Sequence, residues 1–514
     1  MEGPREADLL ANEKMQRFID QVSPLANPAA IEERKRIVEE LQTAVMAWVV
    51  GVGLSQGMSQ EMATQAGAKV LTFGSYRLGL VSPDSDIDAL VVTPRHVSRE
   101  AFFQQLAPKL QQLPGASEVS AVPDAIAPLI KMKIRDVEID LLFARLNLNT
   151  IDTKSLHNLD DDNLLKNLDE KSVRCLNGTR VADALLRLVP DKHVYRLALR
   201  VIKHFAKSRG LYSNVTGFFG GITWSILTAR VCQMFPKFCA YQIVLRFFLV
   251  FSRWNWKNPV HLCPIELRTE VGLMSLKVWN PRQYAADRSH LMPIITPAFP
   301  CMNSTYNVTE TTKKILISEF ARGARLLKDL TDDVWSKVCE KPTFYGDYPV
   351  YLQLTVTGND PETAQRFRGF VESRIRLFIK SLEHTEGVSS IRPWPIEANN
   401  SWYIGLSFPA NQSVTCDLRP AVAAFHEKAF EFFSSEADKD KVGFAELRVA
   451  YMRHRNLPSE VSGKRPLLNA QVAGIFSGAN QTDFAALAED EVEDEAPAKR
   501  QKLDLAVELP LGEQ

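Results

Sequence analysis

Apolar residues recur at helical spacing from Ile31 to about Val52, where IEERKRIVEELQTAVMAWVVGV sets Val38, Leu41, Val45 and Trp48 near one side. The run ALVV, 89–92, has the length and composition of a buried strand, and PRHVSREAFFQQLAPKL, 94–110, resumes helical periodicity behind a proline. In PLIKMKIRDVEIDLLFARL, 128–146, the alternation of Ile130, Met132 and Ile134 predicts a strand, Arg135-Asp136 a turn, and VEIDLLFA a second strand. A small α/β unit over 31–157 follows from this order. Residues 1–30 are polar, contain alanine and proline, and are expected to be partly irregular.

The segment 158–190 reads as mostly helical, and HVYRLALRVIKHFAKSRGL, 193–211, as a strong amphipathic helix closed by Gly210. GFFGGITWSILTARVCQMFP, 217–236, begins with three glycines in five residues and continues as an apolar helix. Helical, tryptophan-rich material is expected to about 335, which makes 158–340 a second, largely α domain. The pattern then changes. DYPVYLQLTVTG, 347–358, alternates as a strand, 366–385 reads as a helix, and SWYIGLSF, 401–408, as another strand, so 341–460 is expected to be a third, α+β domain. From 461 to 514 periodicity is lost and the chain is expected to be flexible.

Composition narrows the function. The 514 residues are 45% hydrophobic and 24% charged, an ordinary globular balance with room for two or three domains. Seven scattered cysteines include no CxxC pair, which argues against a disulfide framework or a structural zinc site. His96, His204 and His290 have no zinc-ligand spacing either. There is no apolar stretch of signal-peptide kind at the N-terminus and no obvious membrane-spanning window, so a soluble protein in a reducing compartment is expected. Formal net charge is zero, but 489–514 holds nine acidic and three basic residues, leaving 1–488 with a formal +6. A modestly basic body suits phosphate-bearing partners.

The chemistry lies in LTFGSYRLGLVSPDSDIDALVV, 71–92. Along a strand Asp86 and Asp88 project to the same side while Ile87 points to the other. Asp140, in EID on the second strand of the hairpin, faces them if the strands are neighbours. Like charges placed together raise one another's pKa, a cost that divalent cations remove. Two ions roughly 3.5–4 Å apart clamp attacking and leaving oxygens in phosphoryl transfer, and Mg²⁺ suits oxygen ligands. Phe73-Gly74-Ser75 precedes the pair; glycine lets backbone amides approach a phosphate and serine adds a hydroxyl donor. Arg77 is expected to meet phosphate or to pair with Asp84 or Asp86. Lys131 and Lys133 share one strand face, either toward phosphates or in solvent. Lys203, in the otherwise apolar LALRVIKHF, either reaches solvent or meets an anion.

These blocks, with RCLNGTRVADALLRLVP, FFLVFSRWNWKNPV and DRSHLMPIITPAFPCMNSTYNVT, resemble the eukaryotic nuclear poly(A) polymerases of the nucleotidyltransferase superfamily. The GS…DxD signature marks only the superfamily; the later blocks are more specific, and the resemblance runs from about 20 to about 455. It implies an α+β multidomain fold with a polymerase-beta-like nucleotidyltransferase domain, a helical middle domain and an RNA-binding domain similar to an RNA-recognition (RRM-like) fold. It implies that AMP passes from ATP to the 3′-hydroxyl of pre-mRNA without a template. By the same resemblance Asp86, Asp88 and Asp140 are the catalytic and metal-binding carboxylates, for Mg²⁺ or Mn²⁺, and Phe73, Gly74 and Ser75 touch nucleotide and phosphates. Asn177 matches a residue facing the sugar, Lys203 one reaching the triphosphate, and Tyr212 one near base and phosphates. Asn214, Gly220, Gly221 and Ile222 match the adenosine-side wall, and Thr296 a position near the adenine edge. Partners implied are the RNA 3′ end and cleavage and polyadenylation factors, with the enzyme itself monomeric and not membrane-bound.

In the third domain, Arg366, Arg368, Arg374, Arg376 and Lys380 lie among apolar residues, and WYIGLSF offers aromatics at an exposed edge or in the core. Basic side chains there would follow a single strand's phosphates while rings stack bases. PAKRQKLD, 497–504, is similar to a short nuclear localisation signal, so a nuclear location is expected. A uridylyl- or CCA-adding transferase and a catalytically silent RNA-binding protein are the competing readings.

Overall fold

The computed structural model describes residues 3–458 apart from 124–126, 155, 157, 330, 399, 410–415 and 435–440. The acidic tail and the basic block 497–504 lie outside the described residues. The described chain gathers into two compact units, one formed by 1–204, 221–304 and 327–335, the other by 205–220, 305–326 and the chain from 336 onward.

The first unit is built on a five-stranded sheet of order β1-β2-β5-β4-β3, with β1 Lys69–Thr72, β2 Ile87–Thr93, β3 Ala116–Val122, β4 Leu129–Ile134 and β5 Val137–Arg145. β2 and β5 run parallel with Asp88 opposite Asp140; β4 and β5 form the expected hairpin. Its turn residues Arg135 and Asp136 take φ of 49° and 64° without a glycine. The Arg135 guanidinium offsets that strain by donating to Glu33 and Glu40 on the Pro28–Ser55 helix.

Strand alternation divides the first unit's core in two. Ile87, Ala89 and Val91 pack with Ile37, Leu41, Val45 and Trp48 of the Pro28–Ser55 helix, which Asn27 caps by accepting the Ala30 N–H at 2.8 Å. On the other face Leu90 and Val92 pack with Cys175 and Leu176 of the Glu170–Leu188 helix. Burying each such large side chain contributes about 1.5–3 kcal/mol. The Pro28–Ser55 helix is, contrary to the sequence reading, long and apolar enough to cross a membrane by length and composition. Its apolar side is nevertheless spent on the sheet, with Trp48 fully buried.

Three segments depart from expectation. The N-terminal stretch forms a helix, Glu6–Val22, because Met15 and Ile19, one turn apart, are fully buried, and Asn12 and Asp8 bind the start of the Ala240–Phe251 helix. Residues 158–169 contain only a short 3₁₀ turn before the Glu170–Leu188 helix. Between Phe251 and Glu310 the described chain holds one four-residue helix, Ala285–Arg288, where helical material was expected. Six prolines in that span, which remove amide donors, account for it.

The second unit carries an antiparallel sheet of order β7-β8-β6-β9, with β6 Val350–Gly358, β7 Ser390–Ala398, β8 Ser401–Ser407 and β9 Ala445–Arg453. Helices Pro361–Glu372 and Ile375–Glu383, where one was expected, and Arg419–Phe430 cover one face, giving a β-α-β-β-α-β order. The opposite face is filled as well: Phe344, Trp394 and Leu457 pack over Tyr351 and Tyr403, both fully buried. Trp402 faces the helical side, so the β8 aromatics belong to the core.

Candidate active site

Asp86 directly precedes β2, Asp88 is its second residue, and Asp140 lies across the parallel ladder on β5. The strand pleat turns Asp88 and Asp140 to the same face, with Asp86 exposed at its edge. Burial pushes the Asp88 carboxyl up, Asp86 and Asp140 push it further, and Lys203 opposes them; the result is about 7. Burial also raises Asp140, against the pull of Lys131, whose Nζ lies 4.0 Å from its carboxylate. Lys133 instead binds Glu118 at 2.9 Å. Lysines of the protein therefore leave the cluster undercompensated. Hard oxygen donors with surplus negative charge suit a divalent cation of the Mg²⁺ kind. The donor chemistry fits such an ion, and among the described residues no three His, Cys, Asp or Glu side chains lie at ligating spacing.

Gly74 is held against this cluster. After β1 the chain turns through Phe73, whose N–H donates to the Asp88 carbonyl at 2.9 Å, into a short helix, Gly74–Leu78. Gly74 has φ +59°, and a Cβ there would stand 1.9 Å from Asp88 Oδ2. Only glycine fits so close an approach. The half-buried Ser75 follows it. The Phe73 ring lies against Gly178, where a Cβ would come within 2.9 Å of it, so the ring rests on the Glu170–Leu188 helix beside Asn177. Arg77 has a partner that the sequence reading did not identify: Nε and Nη2 donate to Asp183 of the same helix at 2.5 and 2.9 Å. It fixes the Gly74 helix to its neighbour.

Asn177 and Thr296 meet at Met302. The Asn177 amide approaches the Met302 sulfur at 3.8 Å, and the Thr296 hydroxyl accepts the Met302 N–H at 2.9 Å. Asn177 Oδ1 is buried without a hydrogen-bond partner, an acceptor waiting for a donor. Lys203 sits half-buried near the end of the Lys192–Ser208 helix and acts electrostatically on Asp88. Gly221 opens the Gly221–Met234 helix with Ile222 second, both half-buried.

Tyr212, Asn214 and Gly220 belong to the second unit. There Tyr212 bridges to Phe219 and carries Lys207 Nζ 5.5 Å from its ring centre. The Asn214 carbonyl accepts the Asn307 amide at 3.0 Å, and Asn214 Oδ1 is a second buried acceptor without a partner. A Cβ on Gly220 would meet Asn214 only at ordinary contact distance, 3.5 Å, so the site tolerates one.

Residues 1–189 match the family model of the poly(A) polymerase nucleotidyltransferase domain, 194–341 that of the poly(A) polymerase central domain, and 343–401 that of the poly(A) polymerase predicted RNA binding domain. The chain belongs to the poly(A) polymerase family. It is 37% identical over 484 residues to the poly(A) polymerase of Dictyostelium discoideum, with 90% of this chain and 58% of that one covered. It is 38% identical over 452 residues to poly(A) polymerase PAPalpha of Candida albicans, covering 87% and 79%. Nuclear poly(A) polymerase 1 of Arabidopsis thaliana is 36% identical over 484 residues, covering 91% and 66%. The chain thus spans between 58% and 79% of the length of these three relatives. As a poly(A) polymerase family member it carries the nucleotidyltransferase, central and RNA-binding domains in that order.

In the RNA-binding domain the basic residues singled out above are largely engaged internally. Arg366 stands over Phe432, Arg374 over Phe370 and Arg376 over Tyr306, while Arg368 stacks on Trp402 and pairs with Glu397. Lys380 is the exposed one of the five.

Proposed function

We propose that this chain adds AMP from ATP to the 3′-hydroxyl of an RNA strand, without a template, and releases pyrophosphate. The observation that carries the proposal is the carboxylate cluster pressed against Gly74, with Asp88 raised to about 7 by burial and by Asp86 and Asp140. Such a cluster is costly unless positive charge arrives with the substrate. Asp86, Asp88 and Asp140 would hold Mg²⁺, which would supply the charge that neutralises the triphosphate and favours ionisation of the attacking hydroxyl.

The residues of the chain orient the reactants. The bare backbone at Gly74 and the Ser75 hydroxyl receive the phosphates, and Lys203 balances their charge. Phe73, packed on Gly178, walls the nucleotide next to Asn177, whose unpartnered Oδ1 accepts a sugar hydroxyl. Thr296 lies at the adenine edge, with Gly221 and Ile222 along the adenosine. By the resemblance, Tyr212, Asn214 and Gly220 are further nucleotide-contacting residues. The 3′-oxygen attacks the α-phosphorus, the bond to the bridging oxygen breaks, pyrophosphate departs, and the hydroxyl proton passes to a carboxylate or to water.

The substrate we propose is pre-mRNA in the nucleus, delivered by cleavage and polyadenylation factors; the name of the Arabidopsis relative and the basic stretch 497–504 support that location. The test is extension of a 5′-labelled oligo(A) primer with each NTP singly, with Mg²⁺ or EDTA, beside Asp88→Ala. A ladder with ATP alone, absent in EDTA and in the variant, is expected; a ladder with UTP would assign a uridylyl transferase, and none would return the silent RNA-binding reading.

A further inference from the structure

At the opposite end of the β2–β5 pair from the carboxylates lies an unassigned, partly open pocket of about 410 Å³. It begins where the two strands end, at Thr93 and Arg145, five residues beyond Asp88 and Asp140, which is roughly 16 Å along the strands. Arg95, His96, Arg145, Asn147, Asn167 and Asp169 supply its polar lining. The first two of these segments are held together by the chain itself: Leu146 N–H donates to the Thr93 carbonyl and Arg95 N–H to the Leu148 carbonyl, each at 2.9 Å.

The lining carries uncommitted positive charge. Asp169, its one carboxylate, is already occupied, accepting from Arg99 at 2.8 Å, from the Ser172 hydroxyl at 2.6 Å and from the Ser172 N–H at 2.9 Å. Arg95 and Arg145, by contrast, are exposed at its rim with Asn147 and Asn167, and make no side-chain hydrogen bond or ion pair among the described residues; the exposed Glu100 acts on Arg145 only at longer range. His96 Nε2 is buried and without a partner. Two guanidiniums with free donor forks, two asparagine amides and an unpartnered imidazole nitrogen form a lining made for an anion with several oxygen acceptors.

We propose that this cavity binds a phosphoryl group. Its two sources are the backbone of an RNA strand and a free phosphate or nucleotide. The inference rests on the adenylyl-transfer reading only in the choice between them, since the lining itself specifies no more than the phosphate.

The experiment compares wild type with the double variant Arg95→Gln/Arg145→Gln in EDTA without ATP, so that no addition occurs. Affinities are measured separately for a 12-nucleotide oligo(A), AMP and inorganic phosphate. If the strand fills the site, oligo(A) binding weakens about tenfold and the slope of log affinity against log salt falls by about 1.4, or 0.7 for each single-strand phosphate contact. If a small molecule fills it, AMP and phosphate binding falls instead and oligo(A) is unaffected. Removing equal charge at Lys35 and Arg36 leaves all three affinities within twofold. Asn147→Asp, which puts a carboxylate into the lining, weakens the same probe as the double variant and provides the reading if that variant is poorly folded. Unchanged affinities for all three probes in both variants, or an equal loss in the Lys35/Arg36 control, overturns the proposal. Because nothing here depends on catalysis, either outcome leaves the primer-extension test independent.

Discussion

Replacing Asp88 by asparagine should make the metal-free protein more stable, and by an amount that depends on pH. The folded state holds this carboxyl near pH 7 against an ordinary value of 3.8, so folded protein binds the proton more tightly than unfolded chain does. Well below the ordinary value of 3.8 both states are protonated and the group costs nothing. As pH rises from about 4 to about 7 the unfolded chain ionises first, stability falls, and above about 7 the loss is complete. At about 1.4 kcal/mol per pH unit the full interval is worth about 4 kcal/mol, and at pH 5 about 1.6 kcal/mol. Urea denaturation in EDTA, followed by tryptophan fluorescence, should show Asp88→Asn ahead of wild type by about 2–4 kcal/mol at pH 8 and by less than half of that at pH 5. Millimolar Mg²⁺ should then raise the wild-type midpoint and leave the variant's nearly where it was. A gap of equal size at both pH values, or a wild type more stable at pH 8 without metal, would refute the account of Asp88 as an electrostatic cost held for function.

Three further outcomes follow from contacts described above. Gly74→Ala, whose methyl would collide with Asp88 Oδ2 at 1.9 Å, should lower kcat in primer extension by about a hundredfold, as ångström-scale misplacement of a reacting group does; near-normal kcat would show that the approach is not needed. A double-mutant cycle of Arg77→Ala and Asp183→Ala should give a coupling of about 1.5–3 kcal/mol in stability, from the bidentate charge-assisted bonds, and a coupling near zero would exclude the pairing. Burial works to raise Glu319, but hydrogen bonds and charge from Arg209, with Arg322, hold it below its ordinary value, so its contribution is present at pH 7 and lost as pH falls through the folded value. Glu319→Gln should accordingly cost several kcal/mol at pH 7 and much less near pH 3, read from thermal melts at the two pH values.

Three of the five strands of the first unit's sheet were legible: β2 as an apolar run buried on both faces, with Ile87, Ala89 and Val91 on one side and Leu90 and Val92 on the other, and β4 and β5 as a hairpin, whereas the short β1 and the largely exposed β3 carry no such run. Once β2 and β5 were neighbours, Asp140 had to face the pair. What the pattern could not give were links between charges far apart in sequence. Arg77 and Asp183 stand 106 residues apart, and nothing local at either position distinguishes a partner there from Asp84 or Asp86. The N-terminal helix was missed because only Met15 and Ile19 of its residues are buried, too short a stripe to register as periodicity. Its one local signal was their four-residue spacing. Arg95 and Arg145 carry no sequence motif; they become a pair only because β2 and β5 end side by side.

The RNA-binding domain has a further meaning in its filled sheet. Tyr351 and Tyr403 are sealed beneath Phe344 and Trp394, so the face on which a related fold would lay out nucleobases is closed to them. A domain built this way has no means of reading letters through that face. For a polymerase of the kind proposed, that face adds no preference among transcript ends, and a choice of message would have to be made elsewhere.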